Sequence, residues 1–242
     1  MAQNIYDTDE FFANYSKLPR SIDGLAAAPE WPSLRAMLPD IRGRKVLDLG
    51  CGFGWFCRWA RENGASEILG IDLSEKMLAR AASATNDSAI TYRKADLEHV
   101  ELSAQYFDLV YSSLAFHYVK NFNALIASIH KSLKPGASLV FSVEHPIYTA
   151  PSNPKWITNP TGRKVWPLDN YLIEGPRSTD WLANGVIKQH RTIATYINAL
   201  LSVGMTITHI DEWAPSKEQI AQHPDWADER QRPSFLLISA LR

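Results

Sequence analysis

The stretch Val46-Leu47-Asp48-Leu49-Gly50-Cys51-Gly52-Phe53-Gly54 constrains the fold more than any other part of the chain. A β-branched and aliphatic run passes into three glycines spaced two apart, and then into residues 55–63, a helical segment closed by Gly64. That order predicts a strand, a turn whose backbone can approach a ligand where a Cβ would collide, and a helix. A second apolar run, Glu67–Ile71, ends in Asp72, whose carboxylate can accept hydrogen bonds from both hydroxyls of a ribose. A ligand carrying a nucleoside is the expectation.

The same rhythm continues. Ser74 stands as an N-cap before a helix whose apolar face is Met77, Leu78 and Ala81. Ala89–Arg93 and Phe107–Tyr111 read as strands, Asn121–Leu133 as a helix stopped by Lys134-Pro135-Gly136, and Ser138–Val143 as a fifth strand. Strands alternating with helices predict parallel βαβ units with right-handed crossovers, hence an α/β doubly wound sheet. Residues 145–190 interrupt this with six prolines and with Trp156, Trp166 and Trp181. Proline blocks helix interiors, so this segment is expected to be an insertion or lid rather than a crossover helix. After it come a helix over Thr192–Ser202 and strands at Met205–Asp211 and Ser234–Leu241. The last two are joined by a loop, so the final strand of a mostly parallel seven-stranded sheet is expected to be antiparallel. The chain then divides into a helical cap (1–44), a cofactor-binding core (45–144), the insertion (145–190) and the C-terminal part of the sheet (191–242), all within one domain.

A formal net charge of -1 gives no electrostatic footprint for nucleic acid or an anionic membrane, so a small or neutral partner is expected. Two cysteines, Cys51 and Cys57, exclude a disulfide framework and fit a reduced, cytoplasmic setting. The N-terminus lacks the apolar core of a signal peptide, and no apolar run approaches the ~20 residues of a membrane span. The histidines are scattered without metal-ligand spacing, so no metal site is expected.

Glycine spacing separates the possible cofactors. A dinucleotide fingerprint places a third glycine three residues after the second, to let helix and strand touch beside a pyrophosphate. Here that position is Trp55, and the third glycine comes at Gly54 instead. With its acid followed by Gly-x-Gly-x-Gly, the chain resembles the class I S-adenosylmethionine-dependent methyltransferases, whose fold is Rossmann-like. The resemblance extends over roughly residues 45–144: Asp72 at the second strand end, Asp96 in Lys94-Ala95-Asp96-Leu97, the block Phe107–Tyr118 and the turn Leu133–Phe141.

The resemblance implies S-adenosylmethionine as cofactor and S-adenosylhomocysteine as product. It implies that Asp72 holds the ribose, that Asp96 accepts from the adenine amino group and that the amide of Leu97 reaches the ring. The glycine loop offers carbonyls and amides to the methionyl end, with Asp48 nearby to favour its ammonium. Arg20 could pair with the carboxylate through its planar fork. The expected cofactor residues are Tyr15, Arg20, Asp48, Gly50, Cys51, Gly52, Gly54, Asp72, Leu73, Met77, Asp96, Leu97, Ser112 and His117.

Transfer from a sulfonium depends mainly on placing the nucleophile in a dry pocket, with a general base added where the acceptor is protonated. His117 and His145, at strand C-terminal ends, are the candidate catalytic residues. His145, Tyr148, Trp166 and His190 are candidate substrate contacts. The Asn-Pro-Pro-Tyr type of motif found in nucleic-acid amino-methylating enzymes is absent after the fourth strand. Ser112-Ser-Leu-Ala-Phe-His117 stands there instead and resembles small-molecule methyltransferases. Two alternatives stay open at this point: a non-catalytic S-adenosylmethionine-binding module and a nucleotide-dependent oxidoreductase.

Overall fold

The computed structural model describes residues 3–242. Helices α1 (Asp9–Tyr15), α2 (Pro19–Ile22) and α3 (Trp31–Met37) precede the sheet. The βα alternation then follows as β1 (Lys45–Leu49), α4 (Trp55–Glu62), β2 (Glu67–Asp72), α5 (Glu75–Ser83), β3 (Ile90–Lys94), β4 (Phe107–Ser113), α6 (Phe122–Ser132) and β5 (Leu133–Glu144). The insertion contains α7 (Pro146–Thr149), the short pair β6 (Ile157–Thr158) and β7 (Lys164–Val165), and the ribbon β8 (Gly175–Trp181) and β9 (Ala183–His190). The chain closes with α8 (Ile193–Ser202), β10 (Thr206–Trp213), α9 (Lys217–Gln222) and β11 (Phe235–Leu241).

Seven strands form one sheet in the order β10-β11-β5-β4-β1-β2-β3. β11 runs antiparallel to both β5 and β10, and the pairings among β1 to β5 are parallel. This is the mostly parallel sheet with an antiparallel last strand that the sequence pattern predicts.

Central strands are buried on both faces, which is why they read as continuous apolar runs. Successive residues feed opposite layers. Leu47, Val110, Leu139 and Phe141 join Phe122, Ile126 and Leu200 on one side. Val46, Leu109 and Val140 join Trp31, Leu34, Phe56 and Ala60 on the other. Between these layers the carboxyl ends of β1, β2, β4 and β5 are left to carry side chains and loops that are not committed to the core.

β5 begins five residues earlier than the apolar run suggests and extends one residue further, to Glu144. The insertion adopts no crossover helix; proline-rich loops connect a single-turn α7 to the β8–β9 ribbon.

Candidate active site

β1 hands over to α4 through a loop in which Gly50, Gly52 and Gly54 have φ of 78°, 50° and 70°. This left-handed region is costly for residues with a Cβ, so the alternation of glycines follows from the turn itself. A Cβ on Gly54 would lie 2.2 Å from the Tyr92 hydroxyl, so this glycine serves packing against β3. A Cβ on Gly52 would meet nothing within 4 Å, and Gly52 lines a cavity of about 500 Å³. The loop is therefore bare beside open space.

Asp72 sits opposite. Its Oδ2 accepts from Gly52 N at 2.8 Å and its Oδ1 from Ser74 N at 2.9 Å, which fixes the carboxylate at the cavity wall. Burial raises its pKa, and the backbone amides of Ser74, Gly52 and Leu73 oppose that. Each oxygen keeps a further lone pair for a ligand hydroxyl. Leu73, Met77, Asp96 and Leu97 continue the same wall, and Asp96 Oδ1 also accepts from Glu98 N at 3.0 Å.

The N-terminal segment covers this end. Ser74 caps α5 through Met77 N at 3.1 Å and donates to Asp7 Oδ1 at 2.5 Å, while Lys76 N donates to the same oxygen at 3.1 Å. Asp7 thus ties the segment onto the positive end of α5, and these hydrogen bonds hold its pKa below the usual carboxylate range despite partial burial. Tyr6, Tyr15, Leu18 and Arg20 consequently face the cavity. The segment also holds the ribbon: Asn14 Nδ2 donates to Leu182 O at 2.9 Å, and Gln3 bonds both Gly185 O and Ile187 N at 2.9 Å. Trp181, at the end of β8, stands edge-on to Phe11 with centroids 5.5 Å apart. Cap and ribbon form one continuous cover.

The far end of the cavity is built from β4, β5 and the C-terminal connection. His117 lines it and is 2% exposed. Its Nδ1 accepts from Glu144 N at 3.3 Å, so the ring proton resides on Nε2. Burial pushes its pKa down to about 4, with Lys188 and Arg191 also lowering it against the opposing pull of Glu144; the ring is a neutral donor at physiological pH. Glu144 lines the cavity, with Lys188 Nζ 2.5 Å from its Oε1 and, among the described residues, no partner on its buried Oε2. Arg232 lies 4.4 Å over the Tyr148 ring and 4.2 Å over Trp166, and is ion-paired to Glu229. The hydroxyls of Tyr6 and Tyr118 are 3.2 Å apart, and burial lifts both phenols well above their ordinary pKa.

Of the residues singled out in the sequence, Tyr15, Arg20, Gly50, Gly52, Asp72, Leu73, Met77, Asp96, Leu97, His117 and Tyr148 come together around the cavity. Arg20 donates to both oxygens of buried Glu30 at 2.9 Å, so part of its fork is already engaged.

Others are placed elsewhere. Asp48 is buried beneath the loop, where Cys57 Sγ donates to its Oδ2 at 3.3 Å; burial lifts its pKa to about 7. Cys51 points its side chain into the core, and burial holds its thiol well above the ordinary range. Gly54 starts α4 outside the cavity wall. Ser112 is fully buried and donates to Leu49 O at 2.7 Å; strand alternation turns its neighbour Ser113 to the cavity instead.

His145 is fully buried outside the lining. It caps α7 by accepting from Ile147 N at 3.0 Å, and its Nε2 lies 2.9 Å from Glu212 Oε1. His190 is also fully buried, held by Thr149 Oγ1 at 2.8 Å and by Tyr171 O at 2.9 Å. With both ring nitrogens engaged, these two histidines serve the insertion's own structure. Trp166 stacks behind Tyr148 and donates to Ile147 O at 3.0 Å, one step removed from the cavity.

The cavity is also lined by Glu144, Arg232 and Tyr118, which the sequence did not single out, and by Trp181, which it marked only as part of the insertion. Glu144 carried a signal, being the next residue after the apolar run of β5; Arg232 carried none, lying in a polar connection. Among the described residues no group of three or more His, Cys, Asp or Glu could hold a metal ion, and no helix is long and apolar enough to cross a membrane.

Residues 47–141 match the family model of a methyltransferase domain. The solved structure of an S-adenosylmethionine dependent methyltransferase from Mesorhizobium loti is 56% identical, covers 90% of this chain and 100% of its own, and superposes with a TM-score of 0.88. The chain is a class I S-adenosylmethionine-dependent methyltransferase. The cavity of this methyltransferase is thus that of an S-adenosylmethionine enzyme, and the bare loop at Gly52 facing Asp72 fits that cofactor. An uncharacterized protein of Haemophilus influenzae is 35% identical over 98% of the methyltransferase and 96% of its own length. A malonyl-[acyl-carrier protein] O-methyltransferase of Enterobacter lignolyticus is 38% identical over 46% of the methyltransferase and only 43% of its own length.

Proposed function

We propose that the acceptor of this methyltransferase is a small molecule, bound between His117, Glu144, Tyr148 and Arg232 beneath the cover formed by the N-terminal segment and residues 145–190. The observation that carries this reading is the continuity of the cavity. One space of about 500 Å³ runs from Gly52 and Asp72 to Tyr148 and Arg232, within the range of about 300–1,000 Å³ typical of small-molecule sites. Its lining includes Tyr6 and Tyr15 of the N-terminal segment and Tyr148 and Trp181 of the insertion, as suits a reaction that excludes water.

S-adenosylmethionine supplies a methyl group already activated on a sulfonium. Asp72 is assigned to the ribose hydroxyls and Asp96 with the Leu97 amide to the adenine. Gly50, Gly52 and Arg20 are assigned to the methionyl group, with Met77, Leu73 and Tyr15 packing beside them. His117 holds an Nε2–H at the acceptor end, and Tyr118, which accepts from the Tyr6 hydroxyl, stays protonated there with its own O–H to give. Asp48 acts from below, by setting the loop.

Two measurements test this. Calorimetry with S-adenosylhomocysteine should show binding to the wild type weakened at least about tenfold (1.4 kcal/mol) by Asp72→Ala; unchanged affinity would remove Asp72 from the cofactor site. Incubating a cell extract with methyl-labelled S-adenosylmethionine and the enzyme should place label in the small-molecule fraction. Label confined to protein or nucleic acid would refute the small-molecule acceptor.

A further inference from the structure

We propose that Glu144 is the general base of the reaction and that the acceptor nucleophile is a phenol-type hydroxyl, a proposal that rests on the small-molecule reading above. Glu144 ends β5, where an open α/β sheet presents its ligands. Glu144 lines the cavity, with one oxygen engaged by the buried ammonium of Lys188 and the other buried beside it without a partner among the described residues. An unmet buried acceptor costs about 1–3 kcal/mol, which a ligand O–H would return once the carboxylate turns an oxygen toward the cavity. The terminal torsion of glutamate is broad and two-fold, so either oxygen can turn to the cavity while the other keeps Lys188.

The other polar groups at this end are poorly suited to take a proton. The Nδ1 of His117 already accepts the Glu144 amide, which leaves Nε2–H as a donor. The hydroxyls of Tyr6 and Tyr118 bond each other and remain protonated. Glu229 Oε2 accepts from both Arg232 and Ser234 Oγ, and Glu229, unlike Glu144, has no buried unpartnered oxygen among the described residues. Glu229→Gln is therefore measured beside Glu144→Gln and should keep substantial turnover.

The donor on His117 also selects the nucleophile. A hydroxyl can accept from Nε2–H while donating to Glu144, whereas an ammonium has no lone pair to offer and would meet the Lys188 charge. A phenol, with a pKa of about 10, can lose its proton to a carboxylate as the new bond forms far more readily than an aliphatic alcohol. The rings of Tyr148, Trp181 and Phe235 in the wall suit a flat acceptor. In the step, the acceptor oxygen forms the O–CH₃ bond as the S–CH₃ bond breaks. Its proton passes to Glu144, and the sulfur leaves as the neutral thioether of S-adenosylhomocysteine.

The test isolates the labelled product from the extract reaction with the full-length enzyme and determines its linkage. The expected product is an aryl methyl ether stable to mild base. Turnover of the purified acceptor should fall about 10²–10⁴-fold in Glu144→Gln, with S-adenosylhomocysteine affinity within about twofold of wild type. Because Glu144→Gln leaves the Lys188 ammonium buried and unpaired, the double variant Glu144→Gln/Lys188→Gln, which removes both charges, is measured beside it; the same loss is expected in a protein that melts cooperatively. A base-labile methyl ester, a methylamine, or substantial turnover in either folded variant would overturn the proposal while leaving the small-molecule reading intact. Label only in macromolecules, or transferred nowhere, would overturn that reading and this proposal with it.

Discussion

Asp48 offers a quantitative test of how the glycine loop is supported. It is 2% exposed, lies under the loop rather than in the cavity, and receives one hydrogen bond from a buried thiol at 3.3 Å. Burial lifts its pKa from 3.8 to about 7. The folded protein therefore binds a proton here that the unfolded chain has already lost, so the contribution to stability is full below about pH 4 and declines as pH rises through about 7. At 1.36 kcal/mol per unit, the whole effect is about 4 kcal/mol, of which about 2 kcal/mol falls between about pH 5.5 and about pH 8.5.

Asp48→Asn has nearly the same shape and no charge to desolvate, and its carbonyl can still accept from Cys57. Its amide hydrogens lack an assured partner, a cost of about 1–3 kcal/mol that does not change with pH. The variant should therefore gain on the wild type as pH rises, by about 2 kcal/mol over that interval. For a chain of this size that is about 4–8 °C in melting temperature. Urea unfolding of the ligand-free proteins at several pH values reads the difference directly, and the constant amide cost drops out of the slope. Parallel stability curves for the two proteins would refute the assignment of a buried, proton-binding Asp48.

Other expectations follow from the same geometry. His117, lowered to about 4 against an ordinary 6.5, is held neutral by the fold, so its contribution is full above about pH 6.5 and is lost as pH falls toward 4, about 3 kcal/mol in all; His117→Gln should flatten that acid limb in urea titrations. Gly54→Ala adds a left-handed φ penalty and a contact 2.2 Å from the Tyr92 hydroxyl, about 2–4 kcal/mol together. Adding Tyr92→Phe removes the hydroxyl, and a double-mutant cycle should recover about 1 kcal/mol of that loss relative to additivity.

The sheet was legible because its signals are local. Continuous apolar runs mark strands buried on both faces, and the helices between them are bounded by Gly64 and by Ser74. Lys134-Pro135-Gly136, expected as the helix stop, lies within the start of β5 just after α6 ends at Ser132. The antiparallel direction of the last strand was read from a polar, proline-containing connection expected to be a loop; the direction holds, although that connection carries the short helix α9. The insertion was legible only in the negative. Its prolines excluded a crossover helix, but the ribbon of β8 and β9 is held by hydrogen bonds from the N-terminal residues Gln3 and Asn14. Contacts across 168 residues or more leave no periodic trace.

At the active site, whether a residue lines the cavity or is buried away from it came down to single-residue steps. The cofactor end was legible because its chemistry requires particular residue types at fixed places, glycine where φ is positive and an acid where β2 ends. At the acceptor end no residue type is obligatory, so only direction decides, and direction changes with each residue along a strand. Ser112 faces the core and Ser113 the cavity for this reason. The same step separates Glu144 from His145. An apolar run ending at Val143 leaves both as loop residues, and chemistry then favours the histidine. Once β5 is seen to pair through Glu144 with Phe235, Glu144 belongs to the strand and lines the cavity, and His145 becomes the cap of α7. A histidine that must accept an amide proton to begin a helix, and whose other nitrogen meets Glu212, is occupied at both ends, whereas its neighbour keeps an oxygen without a partner. The position of the last ladder residue, rather than the identity of the side chains, places Glu144 and not His145 in the cavity wall.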